Sequence, residues 1–107
     1  RSYIDFSAGP IQQTGRTFDV AIEGEGFFQV QAAGEAEPLY TRAGNFSMDR
    51  DGNLLTADGK PVLDAGGTAI KLDPRAAKYE INQEGEIRVD NAVAATLGVV
   101  KFANPDV

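Results

Sequence analysis

The sequence predicts an all-β domain, and three observations carry that prediction. Apolar residues alternate with polar ones at period two along most of the chain, and a period of 3.6 hardly occurs. Twelve glycines and five prolines then cut the alternation into short pieces. Many short, mostly antiparallel strands joined by tight glycine turns, in a sandwich or barrel-like arrangement, satisfy all three.

Taken in order, Phe18, Val20 and Ile22 share one face of the segment 17–23, with Thr17, Asp19 and Glu23 among the others. After Glu23-Gly-Glu-Gly26, Phe28 and Val30 alternate with Gln29 and Gln31. A strand fits Leu39–Arg42, and Phe46 and Met48 alternate with Ser47 and Asp49. Asp51-Gly52 then turns the chain into Leu54-Leu55-Thr56, because glycine supplies the positive φ of a tight hairpin cheaply. Asp58-Gly59 turns it again, and Pro61, which has no N–H for a ladder, opens an edge-type strand. The pairs Ile70/Leu72, Tyr79/Ile81, Ile87/Val89 and Val100/Phe102 continue the pattern. The strand–turn–strand phrase recurs around Gly52, Gly59 and Gly85 without an internal repeat. Helix is confined to a turn or two: Asp73-Pro74 can start one turn through Ala77, and Ala92–Thr96 reads as a second turn or a loop.

The 107 residues suffice for one domain with a modest core. A net charge of −6 argues against a nucleic-acid partner, since a phosphate backbone is neutralised by clustered cations. No apolar run reaches the ~18 residues of a membrane span. No basic-then-apolar leader opens the sequence, so no secretory signal is expected. The chain has no cysteine, hence no disulfide framework or thiolate chemistry, and no histidine, the commonest general base and transition-metal ligand. Carboxylates, Lys, Tyr, Ser and Thr are the remaining candidate catalysts, which makes an independent catalytic domain an unfavourable reading.

The acidic cluster of Asp49, Asp51, Asn53 and Asp58 is the strongest candidate site. Counted from Asp49 as an EF-hand loop, Asp51 and Asn53 suit the third and fifth positions. Leu54 then stands where Gly is required and Lys60 where Glu is required. Turn formation is the simpler role, with Asp49 expected to be dispensable, no metal and no cofactor. Gly24 and Gly26 form a G-x-G with neither the third glycine nor the helix of a dinucleotide site. Ser2, Ser7 and Ser47 lack a nucleophile context. The pairs Glu23/Glu25 and Glu84/Glu86 read as solvated turn edges, and the Phe and Tyr residues as core. A calcium- or carbohydrate-binding β module and a carboxylate hydrolase stay open as alternatives.

Three phrases supply a functional handle. TGRTFDVAIEGEGFFQVQ (Thr14–Gln31), YTRAGNFSMDRDGNLLTADGKPVL (Tyr40–Leu63) and INQEGEIRV (Ile81–Val89) resemble, in this order, the bacterial flagellar rod and hook family. With DAGGTAIKL (Asp64–Leu72) and GPIQQTGR, the chain looks like the middle domain of the proximal-rod type, the distal-rod type being the near alternative and a hook subunit a further one. The resemblance implies a structural subunit of the basal-body rod, the shaft that crosses the periplasm, with no catalytic role. It implies export through the flagellar type III apparatus and other rod subunits as partners. Family members carry long terminal helices, so the resemblance implies an excised middle domain that is monomeric alone.

The motif residues are then fold determinants. Asp19 and Ala21 lie in the first phrase, Gly24 and Gly26 turn the chain, and Phe27 and Phe28 pack. Tyr40 and Thr41 lead to Arg42, a strand residue expected to pair with a nearby carboxylate ahead of a subunit contact. Gly44, Phe46, Gly52, Gly59 and Pro61 complete the set.

Overall fold

The computed structural model of the chain describes residues 3–5 and 9–103. Its strands are β1 (Tyr3–Asp5), β2 (Ile11–Gln13), β3 (Val20–Ile22), β4 (Phe27–Gln31), β5 (Pro38–Thr41), β6 (Ser47–Met48), β7 (Leu54–Leu55), β8 (Tyr79–Ile81), β9 (Glu86–Val89), β10 (Ala92–Thr96) and β11 (Val99–Ala103). All pairings are antiparallel, in a four-stranded sheet β1-β11-β4-β5, a three-stranded sheet β10-β9-β8, and the pairs β2-β3 and β6-β7. The fold is all-β, as the alternation requires.

Between β7 and β8 the chain makes isolated bridges instead of regular strands: Val30↔Val62, Asn53↔Lys71, Leu55↔Pro61, Leu63↔Ala69 and Asp64↔Leu97. Five-residue loops explain how so many short pieces hold together. Asp49–Asn53, Thr56–Lys60, Asp64–Thr68 and Asn82–Glu86 all close by the same two backbone bonds. The first residue donates to the carbonyl of the fifth, and the fourth, always glycine, donates to the carbonyl of the first. In each, a side-chain oxygen of the first residue accepts the N–H of the fifth. This is the three-residue hairpin loop with glycine in the left-handed position, reinforced by an Asx or Thr side chain.

These loops bring three buried residues into a ring. Val62 N donates to Leu54 O at 2.9 Å, Ile70 N to Val62 O at 3.0 Å, and Leu54 N to Ile70 O at 3.2 Å. A second ring joins more distant segments. Gln29 N donates to Gly98 O, Gly98 N to Leu63 O, and Leu63 N to Gln29 O, all at 2.9 to 3.1 Å. Where three chain segments converge, a flat ladder cannot form, and the rings satisfy backbone groups that burial would otherwise strand. The core gathers here: Leu54, Val62 and Ile70 pack with Phe28, Val30, Phe46, Leu72, Ile81, Ile87 and Leu97.

Three expectations are corrected. Ala92–Thr96 is a strand, because Asp90 and Asn91 take positive φ (49° and 73°) in a two-residue turn that pairs Ala92 with Val89. Asp73-Pro74 forms a turn with no helix; Tyr79 Oη donates to Asp73 O and accepts Ala76 N, while Asp90 Oδ1 accepts the N–H groups of Ala77 and Lys78. Pro61 opens an interior segment, not an edge. Val62 beside it is fully buried, and the Pro61 carbonyl accepts Gln31 N at 2.8 Å.

Candidate functional site

The first two phrases of the sequence lie against one another. Arg42 reaches the carbonyl of Ile22, Val20 N donates to Gly44 O at 2.9 Å, and Asp19 bridges Asn45. The segment 42–46 therefore runs antiparallel along β3. Gly44 is buried there with the Val20 carbonyl where a Cβ would stand, so a side chain cannot enter. Phe28 and Phe46 close the contact edge to face, with ring centroids 5.0 Å apart. Phe18 packs similarly on Tyr79 at 5.5 Å.

Arg42 sits just past β5 and acts as a clasp. Its Nη1 donates to Gly26 O at 2.7 Å and Gly24 O at 2.8 Å, and its Nη2 to Ile22 O at 3.3 Å. Among the described residues its partners are these backbone carbonyls, in place of the expected carboxylate. Gly24 and Gly26 have positive φ (81° and 135°), and the loop turns its carbonyls toward one point that a planar guanidinium matches.

The other motif residues take structural places. Asp19 Oδ2 accepts Arg16 N at 3.2 Å and lies 3.9 Å from Arg16 Nε, while Asp19 Oδ1 is buried without a partner among the described residues. Ala21 is exposed on β3. Phe28 is fully buried, whereas Phe27 is half-buried on the opposite face of β4. Phe27 contacts Phe102 at 5.9 Å, and Tyr40 meets Phe102 edge to face at 4.7 Å, so that face carries a small aromatic cluster with Phe102 41% exposed. Thr41 Oγ1 accepts Ala43 N at 3.0 Å.

In the acidic cluster, Asp49 Oδ1 accepts the N–H groups of Asp51 (3.0 Å) and Asn53 (2.9 Å), and Oδ2 accepts Asn53 Nδ2 (3.0 Å). These bonds, the Asn53 side chain first, hold the Asp49 carboxyl below its usual range. The residue is a keystone of its loop, which corrects the expectation that it is dispensable. Asp58 pairs with Lys60 and accepts Thr56 Oγ1, and the Lys60 bond leads in lowering it to about 2. Gly52 is buried against the carbonyl of Leu72, and Gly59 is exposed. Among the described residues, no group of three or more Asp and Glu is gathered as a metal ion would need.

Thr56, Asp64, Asn82 and Asp90, which organise turns by the bonds described above, were not singled out by sequence reasoning. An Asx or Thr three residues before glycine was the signal available for the first three. The arrangement is a scaffold: an arginine clasp, side-chain-capped loops and interlocked backbone rings.

Comparison with known proteins agrees with a scaffold. Residues 21–89 match the family described as the flagellar hook protein FlgE/F/G D1 domain, and the chain belongs to that family. It is similar to the flagellar basal-body rod protein FlgF of Mesorhizobium japonicum, 35% identical over 95% of this chain and 42% of the relative. FlgG of Bacillus subtilis is 39% identical over 94% of this chain and 39% of the relative. FlgF of Caulobacter vibrioides is 39% identical over 91% and 39%. These relatives are rod proteins named FlgF and FlgG, and the chain spans about two fifths of their length.

Proposed function

We propose that the chain is the middle β domain of a structural subunit of the flagellar basal-body rod, of the proximal-rod type, with no catalytic role. Similarity along nearly the whole chain to proteins named as basal-body rod proteins carries this reading. The geometry supports it: the candidate carboxylates Asp49 and Asp58 are engaged with their own loops, and the motif residue Arg42 binds the carbonyls of Gly24 and Gly26. The relatives' additional length supports a domain within a longer subunit, and the proposal includes terminal helices that would carry the main contacts to other rod subunits. The whole subunit would reside in the periplasm-spanning rod after export through the flagellar type III apparatus.

The identities do not separate FlgF from FlgG, so the test runs in two strains, each lacking one of them. The full-length protein containing this domain is expected to restore swimming where FlgF is missing and not where FlgG is missing. Rescue only of the strain lacking FlgG would assign the distal rod, and rescue of neither would overturn the rod reading. The isolated 107 residues are expected to rescue neither strain.

A further inference from the structure

The two backbone rings differ in the chain length they span. The ring of Leu54, Val62 and Ile70 lies within one continuous stretch, closed outside by Leu72 N donating to Gly52 O at 2.7 Å and by the Asn53↔Lys71 bridge. The ring of Gln29, Leu63 and Gly98 needs residues from opposite ends of the domain. Closing a loop costs more entropy as it lengthens, and local contacts form faster.

We infer that residues 47–72 are a self-closing unit that forms first in folding and on which the other sheets assemble. Its loops 49–53, 56–60 and 64–68 each carry their own side-chain cap, so each can nucleate a hairpin. The ring then buries Leu54, Val62 and Ile70 together. The sheet β8-β9-β10 is equally local in sequence but buries fewer large apolar side chains, Ile81 and Ile87 against Leu54, Val62, Leu63, Ile70 and Leu72 in the unit. Of its β10 strand, Ala92, Val93 and Ala94 are exposed, and its buried Ile81 and Ile87 join the common core to which the unit contributes.

Folding and unfolding rates of paired variants test this. Val62→Ala lies inside the unit and Ile87→Val outside it, and both positions are fully buried. Val62→Ala is expected to slow folding about fivefold or more with little change in unfolding, and Ile87→Val to act mainly by accelerating unfolding. Thr56→Ala and Asn82→Ala give the same comparison at milder cost, since both remove the same loop cap. Folding slowed by Thr56→Ala and not by Asn82→Ala supports the inference. Equal slowing by both, or Val62→Ala and Thr56→Ala acting through unfolding alone, overturns it.

Discussion

Arg42 Nη1 donates to the carbonyl oxygen of Gly26 at 2.7 Å, tying the end of β5 to the loop that leads into β4. The same nitrogen holds Gly24, so one side chain satisfies carbonyls that no ladder reaches. A charged donor to backbone is worth more than a neutral one, though solvent at this largely exposed residue reduces the gain. Arg42→Ala is expected to cost about 1–2 kcal/mol in urea unfolding. Arg42→Lys should recover only part, because a single ammonium on a shorter stem lacks the second arm that reaches the Ile22 carbonyl. Full recovery by Lys would show that charge alone matters and that the clasp geometry does not.

Gly52 and Gly59 occupy the same position of the same loop type, with φ of 91° and 88°, yet their surroundings differ. A Cβ at Gly52 would meet the Leu72 carbonyl, whereas nothing lies within 4 Å of one at Gly59. Gly59→Ala should therefore cost only the left-handed backbone penalty, about 1–2 kcal/mol. Gly52→Val adds a steric clash and a β-branched side chain, and is expected to abolish cooperative unfolding or lower the midpoint far more. Equal midpoints for the two variants would remove the steric part of this account.

Asp49 and Asp58 bind as carboxylates, so both contribute to stability above their ordinary pKa of 3.8, and the contribution is lost as acid protonates the folded state. For Asp58 that loss runs from about pH 4 down to its folded value of about 2. The melting temperature is expected to fall through this window, and Asp58→Asn should flatten the fall. At neutral pH, Asp49→Ala should lower the melting temperature more than Asp49→Asn, which keeps an acceptor at Oδ1. Calcium should leave the melting temperature unchanged, because the oxygens of Asp49 are committed to its own loop. A rise of several degrees would require a bound ion, since ligands of the native state stabilise it.

Period-two alternation made most strands legible, because a side chain that must be buried announces its face. Val20, Ile22, Phe28, Val30, Ile81 and Ile87 all point into the core as the pattern required. Ala92–Thr96 escaped because β10 is an outer strand of small residues with little to bury. Its signal lay outside the strand, in Asp90-Asn91, two residues that tolerate positive φ. The partner of Arg42 was illegible for a different reason. Composition shows which carboxylates exist but not which backbone carbonyls a loop turns inward. Pro61 misled because a missing N–H predicts an edge only in a regular ladder, and the chain there makes single bridges.

The isolated chain, of 11.4 kDa, is expected to sediment as a monomer at micromolar concentration. Like charge between copies of net −6 opposes contact, and added salt would screen that term. The outer strands are guarded differently. Pro38 opens β5 and Glu80 sits in β8, but β10 has neither proline nor charge, and Val93 there is 49% exposed. Its guard is an irregularity: Val93 pairs with Arg88 and Ala95 with Ile87, so Ala94 is left out of register. Such a bulge bends an edge away from straight pairing with another copy. Deleting Ala94 would restore a continuous ladder and a flat apolar edge. The deletion variant is expected to associate in sedimentation velocity at concentrations where the parent stays monomeric, and more strongly as salt is raised. If it remained monomeric even in high salt, the bulge would not be what keeps β10 apart from its neighbours.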